Sequence, residues 1–173
     1  IQDKGYDQFA SVPNRIANLY IVYALTQAGI GREIEPEYRA AVKKALESRD
    51  AYQLALMALA ASNMKDQANY LVLMQALDQL PEKLKAETSV GNSKGASLRV
   101  EAWSLQVLAL LRSATPDLAK AAGILSNLLA EKSYYGYGST QSTVLALKAL
   151  TEYARVSGKA SENATVHFTV NDT

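Results

Sequence analysis

One apolar phrase, ending in Ala-Leu, constrains this chain more than any other feature. It recurs four times: Tyr20-Ile-Val-Tyr-Ala-Leu25, Leu54-Ala-Leu-Met-Ala-Leu59, Leu105-Gln-Val-Leu-Ala-Leu110 and Val144-Leu-Ala-Leu-Lys-Ala-Leu150. Ala and Leu cost least in a helix interior, and a helix apolar on nearly every side has to be sealed between neighbours. The Ala members fall at 24, 58, 109 and 149, spaced 34, 51 and 40 residues apart. Between the phrases lie segments of a different kind, each with one apolar stripe and with charges at Lys43, Lys44, Asp66, Asp78, Lys120 and Glu131. Alternation of the two kinds predicts stacked antiparallel hairpins, one helix of each pair inside and one outside.

Punctuation divides the chain into seven helical segments. The first runs from Pro13 to Gln27 and stops at Gly29 and Gly31; the second opens at Pro36 and presents Tyr38, Ala41, Val42, Ala45 and Leu46 on one face. Asp50 caps the third, which reaches Ser62, and the fourth spans Lys65 to Gln79 before Pro81. Pro81 to Gly95 reads as a loop. The fifth segment covers Ser97 to Ser113. The sixth opens on Thr115-Pro116-Asp117, with Thr115 as the capping hydroxyl, and ends near Lys132. Tyr134-Tyr135-Gly136-Tyr137-Gly138 leads into the seventh, capped by Ser139 or Thr140 and running to Ser157. The period then changes. Ala164, Val166, Phe168 and Val170 alternate with polar residues, the rhythm of a half-buried strand, so a domain boundary is expected between Gly158 and Glu162.

Charge and composition narrow the function. Eighteen basic against 17 acidic residues leave a net charge of +1, which offers nucleic acid or an anionic membrane no surplus to bind. The longest apolar run, Leu54 to Ala61, is far short of the roughly 18 residues of a membrane span. With no cysteine, the chain has no disulfide, thiolate metal ligand or thiol nucleophile of its own. The first residue is Ile1 and the final strand has no visible partner, so the chain is expected to be a piece of something larger.

The expected fold is all-α, and two architectures satisfy the alternation: an open α-solenoid, or part of a closed α/α toroid of the kind terpenoid cyclases and prenyltransferases use. The uneven spacing disfavours a regular repeat such as the tetratricopeptide. Core positions are expected to include Leu108 and Leu147. If the toroid is incomplete, an apolar flank should stand exposed on the first or second helix.

The seventh segment, Tyr134-Tyr-Gly-Tyr-Gly-Ser-Thr-Gln-Ser-Thr-Val-Leu-Ala-Leu-Lys-Ala-Leu-Thr-Glu-Tyr153, resembles the last inner helix of the thioester domain of the α2-macroglobulin and complement family. There a Gly-rich turn leads into Ser-Thr-Gln-x-Thr. The fifth agrees, since Val100-Glu101-Ala102-Trp103-Ser-Leu-Gln-Val-Leu-Ala-Leu-Leu111 is similar to that family's Val-Glu segment. Gly5-Tyr6-Asp7 and Leu19-Tyr20 add a weaker match toward the bacterial branch. The resemblance implies residues 1–160 as the C-terminal part of a thioester-type toroid and 161–173 as the first strand of a following β-domain. It further implies a bacterial protease-trapping inhibitor of periplasm or cell surface, with proteases and neighbouring domains of the same protein as partners. The family's Cys-x-Glu-Gln thioester motif is missing here, as is its assisting His before the first helix. The chain is therefore expected to be scaffold, with no catalytic residue, no cofactor and no metal.

The motif residues Gly138, Ser139, Thr140, Gln141, Thr143 and Glu101 are candidates for structural roles. Thr140 and Gln141 suit capping and hydrogen bonding at the turn. Glu101 suits an early helical turn, where partial positive charge favours an acid. Tyr134, Tyr135 and Tyr137 suit packing of the turn. His167 is expected on the polar side of the strand, and Asn163 and Asn171 match a glycosylation pattern that is common by chance. Rival readings are a toroid-fold enzyme of glycosidase or terpenoid cyclase type, and a solenoid interaction scaffold.

Overall fold

The computed structural model describes residues 14–86, 95–134 and 136–159. They fold into helices α1 (Asn14–Gln27), α2 (Glu35–Ser48), α3 (Ala51–Asn63), α4 (Gln67–Asp78), α5 (Glu82–Ala86), α6 (Ala96–Leu111), α7 (Leu118–Ala130) and α8 (Thr140–Lys159), with one 3-10 turn at Gly31–Ile34. The described part of the chain is all-α. The expected strand, His167, Asn163, Asn171 and Tyr135 lie outside the described residues.

The helix boundaries follow from local chemistry. Asp50 accepts the Gln53 N–H at 3.0 Å and Asp66 accepts that of Asn69 at 3.1 Å, each satisfying a donor that a helix start leaves orphaned. α1 ends at Gly29, whose φ of +83° lets the Ile30 N–H turn back to the Leu25 carbonyl at 3.0 Å. Two expectations need correction. α7 is capped by Asp117, which accepts the Lys120 N–H at 2.9 Å, and Thr115 lies outside the helix. The stretch after Pro81 is not all loop, because α5 occupies Glu82–Ala86.

The four Ala-Leu phrases form a single row, α1, α3, α6 and α8, each helix packed against the next. α2, α4 and α7 pack against that row. Within it, α3 is buried from Ala51 to Ala61 without interruption, and α6 is buried from Val100 to Leu111 apart from Trp103. The expected contrast holds: Leu56 and Leu59 are buried, whereas Lys43 is exposed and Lys44 half-buried.

Helices of the row run the same way. Tyr52 at the start of α3 meets Glu101 near the start of α6, and at the other end Asn63 of α3 donates to the Thr26 hydroxyl of α1 at 3.2 Å. Outer helices are tied to the row by single polar contacts through apolar packing. Tyr70 of α4 donates to the Ala109 carbonyl of α6 at 2.8 Å, and Arg99 of α6 pairs with Glu131 at the end of α7 at 2.6 Å.

The two end helices differ from the middle pair. On α8 Val144 is 58% and Leu147 55% exposed; on α1 Ile21 is 56% exposed, but it lines a groove with Ala40 and Ala41 of α2, so this single residue is not the apolar flank expected on the first or second helix. Leu147 is thus not a core residue. α8 turns Leu145, Ala146 and Ala149 toward the row and has no further inner helix beside it among the described residues.

Candidate functional site

Polar side chains from three inner helices meet where those helices begin. Glu101 is 3% exposed; its Oε2 accepts the Tyr52 hydroxyl and its Oε1 accepts the Ser139 hydroxyl, both at 3.3 Å. Gln141 donates to the Tyr52 hydroxyl at 3.4 Å, closing a ring of contacts among α3, α6 and α8. Glu101 is the sixth residue of α6, beyond the first turn. Its role is therefore the buried acceptor of two hydroxyl donors, a correction to the early-turn expectation.

The Gly-rich turn brings Ser139 to that carboxylate. Gly136 and Gly138 have φ of +91° and +93°, and a Cβ added at Gly138 would stand 2.1 Å from the Ser97 hydroxyl of α6. Glycine is thus needed at 138 on two counts: the left-handed backbone and the close approach of the α6 start. The Ser97 hydroxyl occupies the same space and accepts the Ser139 N–H at 3.2 Å. Ser139 caps α8 by accepting the Ser142 N–H at 3.0 Å. The buried Ser142 hydroxyl bonds back to the Tyr137 carbonyl at 2.6 Å, and Thr143 accepts the Tyr137 N–H at 3.3 Å.

The candidate residues do not all converge. Glu101, Ser139 and Gln141 join one network, while Gly138 and Thr143 shape the turn that serves it. Thr140 is exposed and is not the cap. Of the tyrosines, Tyr137 is buried and Tyr134 is 95% exposed. Tyr52, Ser97 and Ser142 are the members that sequence reasoning missed. Tyr52 had one visible signal: a hydroxyl in the first turn after a cap, in a helix otherwise mostly of Ala, Leu and Met.

Electrostatics at this junction keep the phenols neutral. Burial pushes the Tyr52 hydroxyl well above the ordinary tyrosine range, and the adjacent Glu101 charge pushes it further. Tyr20, which meets Tyr23 edge-on at 5.9 Å between ring centres, is raised by burial, then by Tyr23 and Glu101. A phenol so raised donates a hydrogen bond at neutral pH and is a poor base. Among the described residues no three His, Cys, Asp or Glu side chains gather as metal ligands would. The arrangement clamps three helices together.

That clamp lies within the span matched by a family model, the A-macroglobulin TED domain, which covers residues 19–153. The chain belongs to this family. The match takes in all four Ala-Leu phrases, Tyr52, Glu101 and the turn from Tyr134 to Thr143, so the clamp is built entirely from TED-domain residues. No curated protein and no solved structure matches the chain. No helix among the described residues of this TED domain is long and apolar enough to cross a membrane.

Proposed function

We propose that the chain is the supporting rear wall of a thioester-type α/α toroid in an α2-macroglobulin-like protease trap, and that it carries no chemistry itself. On this reading residues 1–160 are the C-terminal part of the toroid and 161–173 begin a β-domain. The protein acts in the periplasm or at the cell surface, with endopeptidases as its targets. The observation that carries the proposal is a same-direction inner row with outer helices packed on it, whose end helix α8 holds Val144 and Leu147 in water. The open end of an arc has this property, because the end helix lacks the neighbour that closure would supply. The TED-family match supplies the inhibitor context, and the lack of cysteine assigns any thioester to another part of the protein.

The test uses the full-length protein that carries this chain, incubated with a series of endopeptidases. A trap leaves hydrolysis of a small chromogenic peptide intact while suppressing hydrolysis of a large protein substrate. Equal retention of both activities across the series would overturn the inhibitor reading.

A further inference from the structure

A groove of about 580 Å³ lies between α4, α5, α6 and α7, away from both exposed ends of the inner row. Its volume is within the roughly 300–1,000 Å³ of ligand pockets. Trp103, Gln106 and Leu110, one face of α6 at helical spacing, line it together with Leu77 of α4 and Ile124 of α7. It lies between α4, which packs on α3, and α7, which packs on α6, with the Asp78–Lys120 ion pair joining the two outer helices.

Three features of the lining specify an occupant. First, its charged groups cancel: Asp78 pairs with Lys120 and Glu82 with Lys85, leaving no net charge for an anion or a cation to answer. Second, neutral hydrogen-bonding groups remain open. Gln106 is 3% exposed; its amide nitrogen donates to the Lys85 carbonyl at 2.8 Å, and its amide oxygen has no donor among the described residues. The Trp103 indole N–H and the Asn127 side-chain amide are likewise without partners among the described residues. Third, Gly123 sits in the interior of α7, where glycine costs roughly 0.5–1 kcal/mol relative to alanine. Its φ is not positive, and a Cβ there would meet nothing within 4 Å. No contact within the described chain requires a glycine at that place; what it preserves is room in the groove.

We propose that this groove binds a short, uncharged stretch of polypeptide with apolar side chains. Its backbone N–H and C=O groups bond Gln106, Asn127 and the Trp103 indole, and its side chains rest on Leu77, Leu110 and Ile124. A peptide unit offers one neutral donor and one neutral acceptor per residue, the complement of what the groove leaves open. This site is independent of the inhibitor reading and stands or falls separately from it.

Trp103 is the only tryptophan of the chain, so its emission reports on the groove directly. The 173-residue chain is titrated with an N-acetylated, C-amidated Leu-Ala-Phe-Leu peptide, with the same peptide N-methylated at its central amides, and with an aspartate-containing counterpart. The expected result is a saturable emission shift with the first peptide, weakened about tenfold or more by N-methylation or by aspartate, about 1.4 kcal/mol or more. Gly123→Leu, which adds a side chain to the groove's lining where a Cβ meets nothing within 4 Å, should weaken binding to the same degree while the thermal midpoint holds or rises. No saturable shift, an equal response to the N-methylated or aspartate peptide, or unchanged binding by Gly123→Leu would overturn the proposal. So would self-association of the chain that Gly123→Leu abolishes, which would make a second copy the occupant.

Discussion

Leu108 and Leu147 both sit inside an Ala-Leu phrase, yet truncating them should have very different consequences. Leu108 is 3% exposed on α6, a helix that packs against α3, α7 and α8. Leu108→Ala removes the buried isopropyl end of the side chain from a helix packed against three others, where little collapse is available. The transfer and cavity terms together put the loss at about 2–5 kcal/mol. Leu147 is 55% exposed, so less than half of its side chain leaves water on folding. Full burial of a leucine contributes about 1.5–3 kcal/mol, and removing half of that without opening a cavity costs about 1 kcal/mol. Alanine's better helix propensity trims it further. With a urea dependence of about 1–3 kcal/mol per molar, Leu108→Ala should lower the unfolding midpoint by about 1–2 M and Leu147→Ala by well under half as much. Equal shifts in urea melts of the two variants would refute the assignment of α8 as an end helix. The same pair also probes the toroid proposal. In the full-length protein, a neighbour covering α8 should raise the cost of Leu147→Ala toward that of Leu108→Ala.

Two further outcomes concern the clamp. Glu101→Ala leaves the Tyr52 and Ser139 hydroxyls facing an empty space and should cost about 2–3 kcal/mol, whereas Glu101→Gln keeps an acceptor oxygen and should cost markedly less; equal losses in thermal melts would show that the carboxylate's hydrogen bonds do not hold the helices. The raised Tyr52 hydroxyl predicts an alkaline weakness. Below the unfolded tyrosine value of about 10 its stabilisation is complete, and above it the unfolded chain sheds a proton that the folded chain retains. Stability should then fall with rising pH, by up to about 1.4 kcal/mol per unit for each such tyrosine, and Tyr52→Phe should make that fall shallower; an identical pH slope in urea melts of both proteins would contradict this.

Much of the fold was legible because it is written locally. Asp50 and Ser139 precede apolar runs and cap the helices as their positions indicate. The Ala-Leu phrases mark inner helices because sealing a helix on all sides requires that composition. Thr115 misled: it offers a hydroxyl before Pro116, but Asp117 stands closer to the apolar run and takes the orphan N–H. α5 stayed hidden because five residues are too few to display a helical period. Leu147 was misplaced because periodicity shows which residues are apolar, not which helix has a neighbour on its far side. The clamp was the least visible of all. Its Tyr52–Glu101 and Glu101–Ser139 contacts span 49 and 38 residues, so only the assembled row brings them together.

The common direction of the inner helices has an electrical consequence. Each helix presents roughly half a positive elementary charge where it begins and half a negative one where it ends. Because every hairpin returns the chain to the same edge, α1, α3, α6 and α8 add their contributions instead of cancelling them. The sum at that edge is about two elementary charges, against a net charge of +1 for the whole sequence. Outer helices run the other way and offset this at long range, but they lie about 8–10 Å off to one side, so near the edge the field survives. Glu101 is a full negative charge buried just inside the positive pole. The layer therefore behaves less like a weakly charged body than like a short bar with opposite poles. In physiological salt its pull reaches only about 8 Å, to whatever is pressed directly against its ends.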